Sequence, residues 1–303
     1  MVRIAMLKFT IIFLVGSVCF LSGCSSSKVS TGSETIHIGS KSFTENILIG
    51  EMMAKLIEVK LGVPVEHKAN LGGTMIPWNA LTTNDIDMYT EYTGTGLVDI
   101  LKRPSSTDPQ FTYNTVKEEY AEKFSVAWLK PLGFNNTYAI AVPRAFAEKH
   151  RLKTIEDLAA VSPDLIFGAE PEFFNRPDGY DAFAKAYGLS FKNKTEINVG
   201  LKYEALDKGN VQVINVFSTD ANLIKYDLVV LEDSKRFFPT YEAAPIVRQA
   251  VLDRHPELEG VLNQLAGQID DEKMQQLNYE VDVKHRPEKE VAEQFLKSIG
   301  LIQ

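Results

Sequence analysis

The sequence predicts an α/β fold made of two helix-covered, mostly parallel sheets joined by a double hinge. Three observations predict it. From Glu34 onward, short strand-like runs alternate with amphipathic helical runs, the rhythm of βαβ units. Two breaks marked by asparagine or proline, Asn135-Asn136 and Phe238-Pro239, bracket a middle segment that repeats the same grammar. The 303 residues are 45% hydrophobic, enough chain and enough apolar side chain for two cores. A chain that leaves one lobe at the first break and returns at the second gives residues 34–135 plus 239–303 as lobe 1 and 136–238 as lobe 2. A ligand of such a fold belongs in the interlobe cleft, beyond the carboxyl ends of the strands.

The elements follow in order. Thr35-Ile36-His37-Ile38 alternates as a strand that Gly39-Ser40 ends. Ser42 and Glu45 have capping-box spacing, and Ile47, Leu48, Met52, Leu56 and Ile57 recur at helical intervals until Gly62. Val63 to Val65 opens a second strand, and Leu71-Gly72-Gly73-Thr74 leads into a helix around Trp78 to Leu81. Asp85 to Tyr89 alternates as a strand, and Glu91-Tyr92-Thr93-Gly94-Thr95-Gly96 follows as a bare loop. That loop reads either as a strand-ending turn or as backbone kept slim so that something small can sit against Tyr92. A helix through Leu97 to Leu101 completes this half.

In the middle segment, Tyr138 to Val142, Leu165 to Gly168, Val211 to Phe217 and Leu228 to Leu231 read as strands. Thr154 with Asp157 caps a helix, and Glu172 to Gly179 reads as irregular. After Pro239, Pro245 to Leu252, Leu258 to Ile269 and Glu288 to Ile299 read as helices. There are no evident internal repeats.

The first residues stand apart from the fold. Arg3 and Lys8 precede an apolar run from Phe9 to Leu21, too short to span a bilayer comfortably. Leu21-Ser22-Gly23-Cys24 resembles the bacterial lipoprotein signal, with an ordinary signal peptide as the alternative. The resemblance implies a signal peptide over 1–23, a lipid on Cys24, a flexible tether over 24–33 and an anchored extracytoplasmic domain. Cys19 is then discarded, and no cysteine remains for a disulfide. A net charge of −8 excludes an electrostatic grip on nucleic acid.

Catalytic patterns are missing. The five histidines are scattered, with no H-E-x-x-H, no G-x-S-x-G elbow and no G-x-x-x-x-G-K-[ST] phosphate loop. Asp85 and Asp87 share a strand face, an arrangement that suits a solvated edge better than a metal. No catalytic residue, metal or cofactor is expected. What remains is a set of aromatics at strand ends and hinge positions: Tyr92, Tyr138, Phe217 and Tyr241. Each alone suits core or hinge packing better than ligand contact.

Several ordered motifs carry a family resemblance. Gly39-Ser40-Lys41-Ser42-Phe43-Thr44-Glu45, Asn70-Leu71-Gly72-Gly73-Thr74, Glu91-Tyr92-Thr93-Gly94-Thr95, Ser218-Thr219-Asp220 and Phe237-Phe238-Pro239 are similar to those of the solute-binding lipoproteins of quaternary-amine ABC importers. These are the glycine betaine, carnitine and choline osmoprotectant transporters. The resemblance implies a two-lobed type II periplasmic-binding-protein fold that closes on its ligand. It implies an aromatic cage for the trimethylammonium group from Tyr92, Tyr138, Phe217 and Tyr241, with Lys41, Thr95 and Arg176 as carboxylate binders. Glu91 is expected to orient its loop or to face solvent.

A quaternary ammonium has no N–H to donate, so ring faces rather than hydrogen bonds suit it. Two cations at the other end favour a betaine over choline. The family usually has tyrosine where this chain has Phe217, which implies retuned selectivity. The expected partners are a small-molecule betaine and a membrane permease with its ATPase, for a monomer that is not an enzyme. Carnitine, choline or ergothioneine as cargo, or a non-transport sensor on the same fold, are the alternatives.

Overall fold

The computed structural model describes residues 35–175, 179–198 and 201–303. The expected signal peptide, tether and Cys24, and also Arg176, lie outside the described residues. The described strands are β1 (Ile36–Gly39), β2 (Val65–Lys68), β3 (Met88–Tyr92), β4 (Val126–Trp128), β5 (Tyr138–Pro143), β6 (Ile166–Ala169), β7 (Asn193–Glu196), β8 (Val213–Phe217), β9 (Leu228–Leu231) and β10 (Ala243–Arg248). They form two sheets of five, in the orders β2-β1-β3-β10-β4 and β7-β6-β8-β5-β9. In each sheet four strands run in one direction, and the fourth in the order runs antiparallel to both of its neighbours.

Each sheet is covered on both faces, which is why its inner strands are mostly buried. On the first sheet, Leu48, Met52 and Leu56 of helix α1 (Thr44–Leu61) and Phe295 and Leu296 of helix Glu288–Ser298 pack one face. The other face holds Trp78, Tyr89, Tyr120 and Trp128, with Tyr120 meeting both indoles edge-on. The second sheet carries Phe167, Phe173, Phe183 and Phe238 on one side and Tyr203, Leu206, Ile214 and Val216 on the other. Such aromatic contacts add ~0.5–1.5 kcal/mol each beyond burial.

The chain crosses between sheets twice, after β4 and after β9, and the two crossings lie side by side. Asn135 bridges Glu242, and Asn136 N–H donates to Tyr241 O at 3.1 Å.

Several expectations need correction. The capping box at Ser42 and Glu45 does not form: Phe43 is the N-cap of α1 and has no side-chain cap. Glu45 is turned inward instead and is buried. By contrast, the box at Thr154 and Asp157 is complete and opens a 3₁₀ segment at Ile155–Ala160. The second strand starts at Val65, not Val63.

The third strand begins at Met88, so Glu91-Tyr92 belongs to it rather than to a loop. Its five residues are all buried between β1 and β10, so burial there has no period of two. A helical turn, Thr93–Thr95, follows at once, then a π-turn at Gly96–Ile100. The glycines there serve close approach: a Cβ on Gly94 would meet Thr240 O at 2.5 Å and the Tyr241 ring at 2.8 Å.

The segment expected as a helix from Pro245 is β10, with a helix only at Gln249–Arg254. Pro245 sits opposite Leu129, whose N–H donates to Pro245 O at 3.0 Å. Proline has no N–H to return, and the Tyr113 hydroxyl donates to Leu129 O at 3.1 Å in its place. Glu172 to Gly179 includes the end of a helix, Pro171–Asn175. The helix expected over Leu258 to Ile269 is shorter, Leu258–Leu262 with a 3₁₀ turn at Asn263–Leu265. Helices Pro109–Phe124 and Asp271–Asp282, polar on average, are not among the expected elements.

Candidate functional site

A cleft of about 740 Å³ opens where the strand ends of both sheets meet the two crossings. That lies within the roughly 300–1,000 Å³ usual for small-molecule sites. Tyr92 reaches it from the end of β3, Tyr138 from the start of β5, Phe217 from the end of β8, and Tyr241 from the second crossing. The sheet register brings two of these together: Tyr138 lies opposite Phe217, and their rings stack with centroids 5.0 Å apart. Tyr241 is set by the first crossing, its N–H donating to Asn135 Oδ1 at 2.6 Å, and its ring lies on Gly94.

Lys41 and Thr95 also line the cleft. Lys41 follows β1, and Asn46 on α1 fixes its backbone, Oδ1 accepting from Lys41 N–H at 2.7 Å. Its ammonium is buried, donates to Thr74 Oγ1 at 3.2 Å and is ion-paired with Glu91. Glu91 is fully buried and does not face solvent. It also accepts from the Tyr89 hydroxyl and from Tyr92 N–H, both at 2.8 Å. The lysine therefore brings a charge to the cleft that is already compensated from behind.

Residues that sequence reasoning passed over line the same space. Glu45, at the start of α1, takes the Tyr92 hydroxyl at 2.6 Å and Asn136 Nδ2 at 2.9 Å on Oε1. Asn278, on helix Asp271–Asp282, points its amide at Glu45 Oε2 at 3.5 Å and at Thr219 O at 2.9 Å. Burial raises the Glu45 carboxyl above its ordinary range, and hydrogen bonds from Thr219, Tyr92, Asn136 and Asn278 partly offset this. Burial and the Glu45 charge together keep the Tyr92 hydroxyl protonated far above its usual limit.

Asp99, Asp220 and Asp282 add further carboxylates to the lining, and Phe43 a fifth ring, 6.0 Å from Tyr92. Asp282 is raised by burial first, with a smaller push from Asp220. The signal for Glu45 was present in the Gly39–Glu45 motif but was absorbed by its capping-box spacing. Asn278 and Asp282 gave none, because their helix was not recognised.

Chemically, this is an aromatic-walled cleft with an acidic lining and one compensated lysine. It holds no paired nucleophile and base among the described residues, and it suits a small ligand with a cationic, weakly hydrated end.

Comparison with known proteins agrees in kind. Residues 34–298 match the family described as the substrate binding domain of ABC-type glycine betaine transport system. The chain is 37% identical over 292 residues to the carnitine transport binding protein OpuCC of Listeria monocytogenes, covering 95% of this chain and 94% of that one. It is 38% identical over 265 residues to the ergothioneine transport permease/ergothioneine binding protein EgtU of Helicobacter pylori. That match covers 87% of this chain but only 47% of the relative, so the chain spans about half of it. A crystal structure described as a glycine betaine/carnitine/choline ABC transporter superposes with a TM-score of 0.85 at 36% identity, over 88% of this chain and 99% of that one.

Proposed function

Since this chain belongs to the family of substrate-binding domains of ABC-type glycine betaine transport systems, we propose that it captures a quaternary ammonium solute in the cleft and delivers it to a membrane permease. The permease and its ATPase do the energy-requiring work, and this chain catalyses nothing. The lobes, 34–135 with 239–303 and 136–238, close about the paired crossings. The chain acts as a monomer, held outside the cytoplasm by a lipid on Cys24.

The observation that carries this reading is that Tyr92, Tyr138, Phe217 and Tyr241, far apart in sequence and borne by both sheets and a crossing, line one cleft. A trimethylammonium group spreads its charge over methyls, which suit both the negative face and the apolar surface of a ring. Each face contributes ~0.5–2 kcal/mol once water is excluded. Lobe closure supplies that exclusion. Thr95, Lys41 and Arg176 hold the far end of the ligand where it carries a carboxylate.

A second reading changes the cargo and keeps the mechanism. Lys41 is tied to Glu91, while Glu45, Asp99, Asp220 and Asp282 line the cleft. This balance favours a ligand with uncancelled positive charge, such as choline, over a betaine. Carnitine and ergothioneine, the ligands in the relatives' names, are the other candidate cargoes.

A melting panel of glycine betaine, proline betaine, carnitine, choline and ergothioneine tests both. A true ligand raises the melting temperature at concentrations well above Kd, and its identity decides between the readings. A flat response to all five overturns the function.

A further inference from the structure

The Tyr92 ring carries a hydroxyl that is held by a buried acid. Its O–H donates at 2.6 Å to Glu45, a buried carboxylate that forms no ion pair with a cation among the described residues. Lys41 lies 5.2 Å from the Tyr92 ring centroid but is paired to Glu91. The ring thus sits among two buried carboxylates and one lysine, a net negative surround. A phenol that donates to a carboxylate shifts electron density onto its oxygen and into its π system. In a water-excluded site this polarisation is strong, and it makes the ring face more attractive to a cation. Phe217 has no hydroxyl through which the same could happen.

We propose that Glu45 is a specificity-determining residue of the cleft, acting through the Tyr92 hydroxyl to make that wall more negative and so to favour a cationic head against it. The inference rests on the quaternary-ammonium reading and deepens it. It also explains why Glu45, spaced to cap α1, leaves that role unfilled. Asn136 from the first crossing, Thr219 beyond β8 and Asn278 hold the carboxylate in place, so its position depends on parts of both lobes.

The titratable groups around Glu45 are Tyr92, whose ring centroid lies 5.2 Å from the Lys41 ammonium, and Glu91, which pairs with that ammonium. Asp282 stands on the helix that bears Asn278, and Asp220 beside Thr219. Choline is the probe, because it carries fixed charge and no carboxylate that titrates with the protein.

The experiment is calorimetric titration of choline and glycine betaine into the mature chain, its E45Q and Y92F variants and the double variant, repeated across acid to neutral pH. Each single change is expected to weaken choline by about fivefold, the scale of a modest cation–π difference. E45Q is expected to have little further effect in the Y92F background. Wild-type affinity for choline falls as acid neutralises Glu45, and both variants show a flatter profile. Additive losses, or an E45Q variant that binds and titrates like wild type, overturn the inference. Should E45Q fail to fold, Y92F decides alone: an unchanged pH profile overturns it. Failure of both probes to bind wild type overturns this inference, and the underlying reading falls with it only if all five solutes of the melting panel also fail; binding that ignores E45Q sinks this inference only.

Discussion

Lys41 has two tasks that pull apart, and its neighbours show which is first. A cation waiting for a ligand carboxylate would be left open to the cleft. Lys41 is buried instead, its ammonium held by Glu91 and Thr74 and its backbone by Asn46. Removing it strands Glu91, which among the described residues keeps Tyr89 and the Tyr92 amide as donors. Breaking one side of a buried pair costs about 3–5 kcal/mol. Lys41→Met is therefore expected to lower unfolding stability by that order in urea, before any ligand is added. A loss under about 1 kcal/mol, the range of an exposed pair, would mean that the lysine is held for the ligand rather than for Glu91. The same neighbourhood shows that Glu91 orients the cleft wall from within.

At the scale of elements, two boxes with the same spacing meet different fates. Thr154 and Asp157 satisfy each other's backbone, whereas Ser42 is exposed and Glu45 is drawn into the cleft. Thr154→Ala is expected to cost about 1 kcal/mol and Ser42→Ala to stay within about 0.5 kcal/mol, read by paired thermal melts. An equal loss at both positions would contradict the geometry.

This pair also marks how far the sequence could be read. Elements with a local signature were legible: α1 to its left-handed Gly62, β5 and β9, and the final helix. Elements set by tertiary partners were not. The residues of β3 are buried on both faces, and β10 contains a proline that only Tyr113, from a distant helix, makes tolerable. The aromatic lining could be named because its residues sit at strand ends and in motifs. Glu45, Asn278 and Asp282 could not, because their roles depend on which helix end faces the cleft.

For the whole molecule, acid acts on the empty protein and on its complex in opposite directions. Glu45, Asp282, Glu242 and Asp271 all have carboxyl groups raised above their ordinary range, burial being the first cause in each. A raised folded value means that the protonated form is preferred in the fold. Its stabilising share is complete below the unfolded value of about 4 and is lost as pH climbs through the raised one. The carboxylates that are lowered, such as Glu51 beside His67, act with the reverse sign, and only below the ordinary range. The two windows lie on opposite sides of the ordinary carboxylate value, so as pH falls from the raised values toward it these carboxylates stabilise the ligand-free protein. A bound cation needs the opposite state of Glu45 and Asp282, because their negative charge is what it answers. Melts with and without choline at about pH 8, 6.5 and 5 should then show a ligand-induced rise that shrinks toward acid. Taking the difference cancels groups remote from the cleft. A rise that grows as pH falls would mean that the cleft greets its ligand with protonated acids, and that the charge of the lining plays no part in capture.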